Sequence, residues 1–565
     1  MISETANSSA ECLSVVEPQE SPRTFSKLQQ VLGMLRQPSF ILVALTALVL
    51  SRGISKGEFF FYADEPRHAM NGVFFRDLLV TMPLHHPVQY AYEYFAKYPA
   101  IAIPHWPPLF YFFEGVLFLV FGLSPWVSRL TVLVFALLGV YFWYRILEPL
   151  VPLHRAFVSA VALAFMPYVL LYERVTMLEI PALAICIGGI HFWLKFLETE
   201  RPRYLWTLAA FAIAGLLISQ ATVLLVFFIP IHLVARRRLR LLKRWDVWLA
   251  LLISGVMVLP WYLLTQRTER GFGSVATRVM GHNFKYLSRG GTYAFYPIQL
   301  YKQLGAVVLT LACVGLVLAF FKRSRANCLM LIWLFSGYLC FALISEKDPR
   351  HTIVWIPPLV YFVVAAVEAL CIRRKWGVVA CWVLALELFV MAIRSERPIV
   401  AGVEEAAQYV LSLPESDIVY YQGFLDGDFV FYVRKFDTER THMVAREKQI
   451  VVSHLGGEPT KILQSREQVV NFFQSWGVRY AVIEDQDDSP GLEGVHELLS
   501  SGQFELLRAF PVRTNQPNVR THKIEVFRYQ GELHRTNQPV TIPMLTLRHN
   551  ISANLSSLVG RPWPN

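Results

Sequence analysis

Cysteine is scarce in this chain and poorly placed for chemistry. Of the seven cysteines, Cys12 sits in a polar N-terminal stretch, while Cys186, Cys313, Cys328, Cys340, Cys371 and Cys381 fall inside apolar runs. None has a metal-ligand spacing, so neither a disulfide framework nor a zinc ribbon is indicated. Charged residues make up only 17% of the chain. There is no GxxxxGK[ST] phosphate loop and no HExxH metal helix, which removes the two commonest short signatures of nucleotide and metalloprotease chemistry. Internal repeats are missing, and the suggestive charges sit at the ends of apolar runs rather than within them. Both features count against a transporter or lipid flippase, the principal alternative class for a chain of this composition. A scaffold or sensor displaying its C-terminal region would leave those charges without a purpose.

Apolar residues are abundant instead: 54% of 565 residues, with a mean hydropathy of +0.40. They gather into runs of the ~20 residues that cross a ~30 Å hydrocarbon layer. Eleven such runs fall at about 38–54, 126–146, 156–172, 179–197, 204–218, 220–235, 246–264, 298–321, 326–344, 352–372 and 376–394. The first follows a polar leader, residues 1–37, and has no small-residue cleavage site after it, so it reads as an anchor behind a disordered cytosolic leader. A twelfth run, Trp106 to Gly122, is short, opens with two prolines and carries Glu114. If it lies along the membrane surface, the basic loops Arg145/Arg155, Arg201/Arg203, Arg236 to Arg244, Lys322 to Arg325 and Arg373 to Lys375 all fall on one side. That side is cytosolic by the positive-inside rule. The formal charge of +11 resides in these loops, so nucleic-acid binding is not indicated.

The outward side then holds residues 55–125, the turn at 173–178, the loop at 265–297, the turn SEKDPRH (Ser345 to His351) and everything beyond 395. From about 400 the texture changes to short β-like runs, DIVYYQGF, DFVFYV, QIVVSH and YAVIED, mixed with the helix-like EQVVNFFQSW. This predicts an α/β domain over 395–533, followed by a loosely ordered tail over 534–565.

The outward segments carry the candidate chemistry. In DEPRHAM, adjacent Asp64 and Glu65 precede Pro66, Arg67 and His68. Acids before a proline suit the first turn of a helix, so one reading is capping. The other is that Asp64 is a general base taking a hydroxyl proton while cations neutralise a phosphate leaving group. Both can hold together. Arg174 beside Glu179 reads either as a snorkelling anchor or as a phosphate contact. Lys347, Arg350 and His351 form a cationic turn on the outer face, against the positive-inside trend, and an arginine fork suits phosphate oxygens. The alternative is a solvated turn paired with Asp348.

Four segments in this order resemble the GT-C glycosyltransferases, in the branch of the lipid A aminoarabinose transferases, protein O-mannosyltransferases and rhizobial lipopolysaccharide core transferases. They are DEPRHAM, HWPPLFYFFEGVLFLVFGLSPWVSRL (His105 to Leu130), YERVTMLEIPALAI (Tyr172 to Ile185) and SEKDPRHTIVWIPPLVYFV (Ser345 to Val363). The similarity covers about 38–394. It implies a GT-C membrane domain with a C-terminal soluble α/β domain, and an inverting transfer from a polyprenyl-phosphate sugar to a lipid, glycan or protein hydroxyl. Asp64 would be the catalytic base with Glu65 in support. Glu179, where the branch usually has aspartate, would orient donor or acceptor. Arg174, Lys347, Arg350 and His351 would meet the donor phosphate, and Arg67, His68 and Trp106 would line the pocket. Trp106 stands where a lysine is often found. Some members hold a divalent ion; the corresponding places here offer His105 and His282 but lack the carboxylate, so no obligatory metal is expected. The bacterial character of the match, with no outward cysteines, points to a multi-pass protein of a bacterial inner membrane. Neither the sugar nor the acceptor is legible.

Overall fold

The computed structural model describes residues 37–60, 64–83, 85–102, 105–268, 291–344, 347–452, 460–463, 465–486, 493–537, 539–542 and 550–560. His282, the leader and Ser345–Glu346 lie outside the described residues.

Each of the eleven expected runs coincides with a helix or a bent helix pair. Among the described residues, six helices are long and apolar enough to cross a membrane alone: Pro125–Leu147, Glu179–Thr199, Trp245–Arg267, Tyr293–Phe321, Arg325–Leu343 and Arg374–Arg394. Two more arise as pairs, Leu153–Phe165 with Pro167–Glu173, bent by 61°, and Pro349–Trp355 with Pro357–Leu370, bent by 64°. Proline sets the first of these bends. Pro167 cannot donate to the preceding turn and pushes Met166 into extended backbone (φ −61°, ψ 129°). Pro38, Pro125, Pro202 and Pro357 likewise open helices, at the position where a missing N–H costs nothing. Shorter apolar helices are Pro38–Ser51, Pro202–Ile218 and Gln220–Ala235.

Glu179–Thr199 is the axis of the bundle: 78% of its apolar window is buried, against 11% for Trp245–Arg267. The outer helix instead displays Leu251, Leu252, Val256 and Leu259. A helix apolar on all sides with its outer face uncovered is suited to lipid, where its backbone is satisfied internally.

The segment Trp106–Gly122 forms the helix Leu109–Phe121, 13 residues long and about 20 Å, one of the shorter apolar helices together with Pro38–Ser51. Its inner face lies on a second helix, Asp64–Thr81, with Gly115 against the backbone of the Gly72–Arg76 turn. A Cβ on Gly115 would stand 2.8 Å from the Arg76 nitrogen, so the crossing depends on a residue without one. Its outer face presents Phe112, Phe113, Val116, Leu119 and Val120.

The C-terminal region is built on a five-stranded sheet in the order Met443–Arg446, Ile418–Gln422, Tyr480–Glu484, Lys523–Tyr529, Phe504–Pro511. The first three strands are parallel and the last two antiparallel to their neighbours. EQVVNFFQSW lies in the helix Arg466–Trp476, opened by a capping box between Ser465 and Gln468. DFVFYV is not a strand. It lies within the helix Asp426–Phe436. The run is buried on all sides, which erases the periodicity that separates helix from strand, and Asp426 and Asp428 favour a helix N-terminus. The tail is more ordered than expected where described: Pro539–Ile542 pairs with Ile551–Asn554, and Val540, Ile551 and Leu555 are buried.

The segment expected as an outward loop is largely helical, with Asp64–Thr81, Pro87–Lys97 and Leu109–Phe121. Its apolar side chains, Phe59, Met70, Phe74, Tyr94 and Phe118 among them, share one core with the C-terminal sheet. A polar seam closes the junction. Arg434 donates to both oxygens of Asp77 at 2.8 Å, and Tyr98 donates to Asp437 at 2.8 Å. Glu58 accepts from the first N–H groups of the helix Val403–Leu411, those of Gly402, Val403 and Glu404, as a carboxylate at a helix N-terminus does.

Candidate active site

Asp64 and Glu65 are neighbours with separate tasks. Both stand in the first turn of Asp64–Thr81. Glu65 is fully buried and accepts from the Phe60 and Thr176 nitrogens, each at 2.8 Å. It therefore fastens the segment after the first helix to the turn before Glu179. The Asp64 carboxylate remains a third exposed and meets the Arg350 Nη1 at 3.1 Å.

Arg350 is the hub. It follows the extended Asp348, whose side chain accepts from the Arg350 backbone nitrogen at 2.8 Å and so shapes the turn. The guanidinium reaches Asp348 at 2.7 Å, Asp64 at 3.1 Å and Glu179 at 3.6 Å. Three carboxylates contributed by three distant segments converge on one cation. The expected pairing with Asp348 is present, and Arg350 also faces Asp64.

A cavity of about 130 Å³ opens beside it, lined by His68, Trp106, Glu179, Asp348, Arg350 and His351. Asp64 does not line this cavity and is joined to its wall through the ion pair with Arg350. His68 shares a 2.6 Å hydrogen bond with the Tyr111 hydroxyl and packs on the Trp106 ring at 4.2 Å. Burial first, and then the nearby Arg350 charge, hold its imidazole pKa well below 6.5, so it is neutral at pH 7. His351 bonds the Tyr296 hydroxyl through Nδ1 at 3.1 Å and stacks on Phe341.

Two expected phosphate contacts are used elsewhere. Arg174 is buried, and its guanidinium donates to the Ala392 oxygen at 2.7 Å and to the Ser395 oxygen and hydroxyl at 3.1 and 2.8 Å. Lys347 donates to the carbonyls of Phe341, Ala342 and Ile344 at 2.6 to 2.7 Å. Each caps a helix C-terminus, where orphan carbonyls and the dipole favour a cation. Burial pushes the Lys347 ammonium down to about 8. Arg67 points away from the cavity toward Asp426 of the C-terminal region, 3.8 Å away.

His105 packs edge-on against Trp106. Among the described residues no three His, Cys, Asp or Glu side chains converge as a metal-ligand set, and His282 lies outside them.

Sequence reading missed Tyr111, Tyr296 and the Ser219–Ala221 turn, which also lines the cavity. Ser219 and Gln220 are a polar pair interrupting apolar residues 204–235, a signal that was present. The tyrosines gave none, since aromatic residues fill the apolar helices throughout.

Known proteins share this architecture. Residues 105–263 match the family model of dolichyl-phosphate-mannose-protein mannosyltransferases. Among solved structures, ArnT from Cupriavidus metallidurans in the apo state aligns at TM-score 0.58 and 14% identity, over 90% of this chain and 100% of that one. The same protein bound to undecaprenyl phosphate aligns at TM-score 0.58 and 14% identity, over 88% and 99%. The archaeal oligosaccharyltransferase AglB from Archaeoglobus fulgidus, in complex with an inhibitory peptide and a dolichol-phosphate, aligns at TM-score 0.50 and 11% identity, over 94% and 78%. No curated protein sequence matches the chain. The fold is that of the GT-C glycosyltransferases, with a C-terminal region of mixed sheet. Within that class the chain is similar to ArnT over nearly its whole length.

Proposed function

We propose that this chain is an inverting glycosyltransferase that moves a sugar from a polyprenyl-phosphate carrier to a hydroxyl acceptor at the outer face of a bacterial inner membrane. The observation that carries the reading is Arg350 held among Asp64, Glu179 and Asp348 at a cavity between membrane helix ends. One cation serving three carboxylates can turn part of its fork to a phosphate while Asp348 keeps it anchored. Asp64, released from Arg350, then takes the proton of the acceptor hydroxyl. The acceptor oxygen bonds to the anomeric carbon from the face opposite the carrier. The carbon–oxygen bond to phosphate breaks, and the carrier phosphate leaves with the electron pair, its charge compensated by Arg350. Glu179 and the neutral His68 offer hydrogen bonds to sugar hydroxyls, and Trp106 offers a ring face for the sugar.

The lipid carrier is supported by two similar proteins of this fold, one bound to undecaprenyl phosphate and one in complex with a dolichol-phosphate. The orientation is supported by the basic loops, which gather at the helix ends far from Asp64. The N-terminus is then cytosolic and the C-terminal region outward, covering the Asp64 helix and screening the cavity. A panel of synthetic polyprenyl-phosphate sugars, offered to purified protein, tests the reading. Turnover of one donor supports it. Failure of well-folded protein to bind or turn over any donor contradicts it and favours a lipid flippase.

A further inference from the structure

The far end of the bundle holds a second and larger cavity, about 220 Å³ in volume. Arg145, Lys195, Arg236, Arg238 and Arg325 line it, against a single acid, Glu198. Four membrane helices, Pro125–Leu147, Glu179–Thr199, Leu224–Ala235 and Arg325–Leu343, bring these cations together from their ends. Three of them are steadied by nearby acids: Arg145 by Glu148 at 2.8 Å, Lys195 by Glu198 at 3.3 Å and Arg238 by Glu200 at 3.3 Å. Arg236 and Arg325 have no carboxylate partner among the described residues.

His232 adds a neutral donor with a defined proton. It is 97% buried, and the Trp193 indole donates to its Nδ1 at 3.1 Å. Indole nitrogen donates only, so Nδ1 accepts and the ring proton sits on Nε2. His232 lines the cavity, so this residue joins a pocket of five cations in which Glu198 is the one acid lining the wall. Ile146, Leu150 and Leu194 supply apolar wall beside the charges.

We propose that this cavity binds the phosphate of an anionic membrane phospholipid. Clustered like charges at four helix ends repel one another, and a phosphate among them removes that cost. The apolar wall and the position at the ends of membrane helices suit a headgroup still attached to its acyl chains. The site is separate from the candidate active site: Glu179 and Lys195 lie 16 residues apart on one helix, about 24 Å. It therefore stands or falls independently of sugar transfer.

The test is native mass spectrometry of the protein released from phosphatidylcholine vesicles with or without phosphatidylglycerol. The wild type retains one phosphatidylglycerol. The double variant Arg236→Ala, Arg325→Ala loses retention by about 30-fold, as two headgroup cations contribute. Arg236→Lys with Arg325→Lys keeps most of it, with the same gel-filtration profile, which separates lost charge from lost fold. Equal retention by the wild type and the double alanine variant overturns the proposal, as does no preference for phosphatidylglycerol. Thermal stabilisation by inorganic phosphate without lipid retention assigns the pocket to a free anion and overturns the lipid reading.

Discussion

Arg350 and Arg434 are both held by carboxylates near the Asp64 helix, and they are built in opposite ways. Arg434 meets one carboxylate, Asp77, through two 2.8 Å bonds, and the Asp437 carbonyl at 3.1 Å; Asp77 also accepts from Arg76 and Tyr94, and the Arg434 and Asp77 side chains are 3% and 1% exposed. Its charge is matched, its geometry is bidentate, and it is closed to solvent. Arg350 is 28% exposed and shared among Asp348, Asp64 and Glu179 at distances that lengthen from 2.7 to 3.6 Å. A matched and sealed pair can only hold its elements together. An oversubscribed, open one can exchange a partner, which phosphate recognition requires. The first locks the C-terminal region onto the Asp64 helix, and the second lies at the cavity.

Breaking the sealed pair should cost the most stability. Arg434→Ala removes the bidentate partner of buried Asp77, which keeps Arg76 at 2.7 Å and the Tyr94 hydroxyl at 2.8 Å, so the loss is about 3 kcal/mol, the low end for a broken buried pair, readable as a lowered unfolding midpoint with the C-terminal region loosened. At the open site the loss should fall on rate instead. Arg350→Ala lowers transfer by about 10²–10³-fold, in line with the removal of one charge-stabilising donor, while the unfolding midpoint stays near that of the wild type. A lysine there restores charge without the fork and recovers part of the rate. Glu65→Gln should fall between the two, costing about 1–3 kcal/mol of stability and slowing transfer because Asp64 loses its support. The smallest effect belongs to Lys347. Its alanine variant gives up a helix cap and costs about 1 kcal/mol, with donor binding unchanged. A large rise in donor KM would instead return Lys347 to the phosphate.

Acid sharpens the same contrast. Burial opposes the Asp77 charge, and the Arg434 guanidinium more than offsets it, so the carboxyl titrates below its ordinary value of 3.8. A depressed carboxyl contributes stability that is complete above its unfolded value and lost as pH falls through the folded one. The Asp77 contribution should therefore be lost only as pH falls below about 3.8, and Asp77→Asn should remove that part of the acid limb. Unfolding midpoints followed from pH 6 downward measure it.

The membrane helices were legible because lipid leaves few alternatives: long apolar runs become helices, and prolines mark where they start and bend. The site was legible in part for the same reason. In so apolar a chain, Asp64, Glu179, Arg350 and His351 stand out at run ends; the last three line one cavity, and Asp64 pairs with Arg350 in its wall. What the sequence could not show was where a buried donor finds its acceptor. Arg174 looked free to meet a phosphate because Ser395 lies 221 residues further on. The bond from Thr176 to Glu65 had no local signal because the two are 111 residues apart. DFVFYV was misread because burial on all sides removes the periodicity on which the assignment rests. The sharing of one core by the Asp64 helix and the C-terminal sheet is a tertiary fact with no local signal.

The central claim is that Asp64 is the base and that its pairing with Arg350 is catalytic rather than structural. Radiolabelled sugar transfer by purified wild type and Asp64→Asn, with unfolding midpoints recorded on the same samples, tests it most directly. A loss of about 10²–10⁴-fold in transfer at an unchanged midpoint is the predicted result. Transfer by Asp64→Asn at the wild-type rate, or a loss no larger than its fall in folded protein, would contradict it.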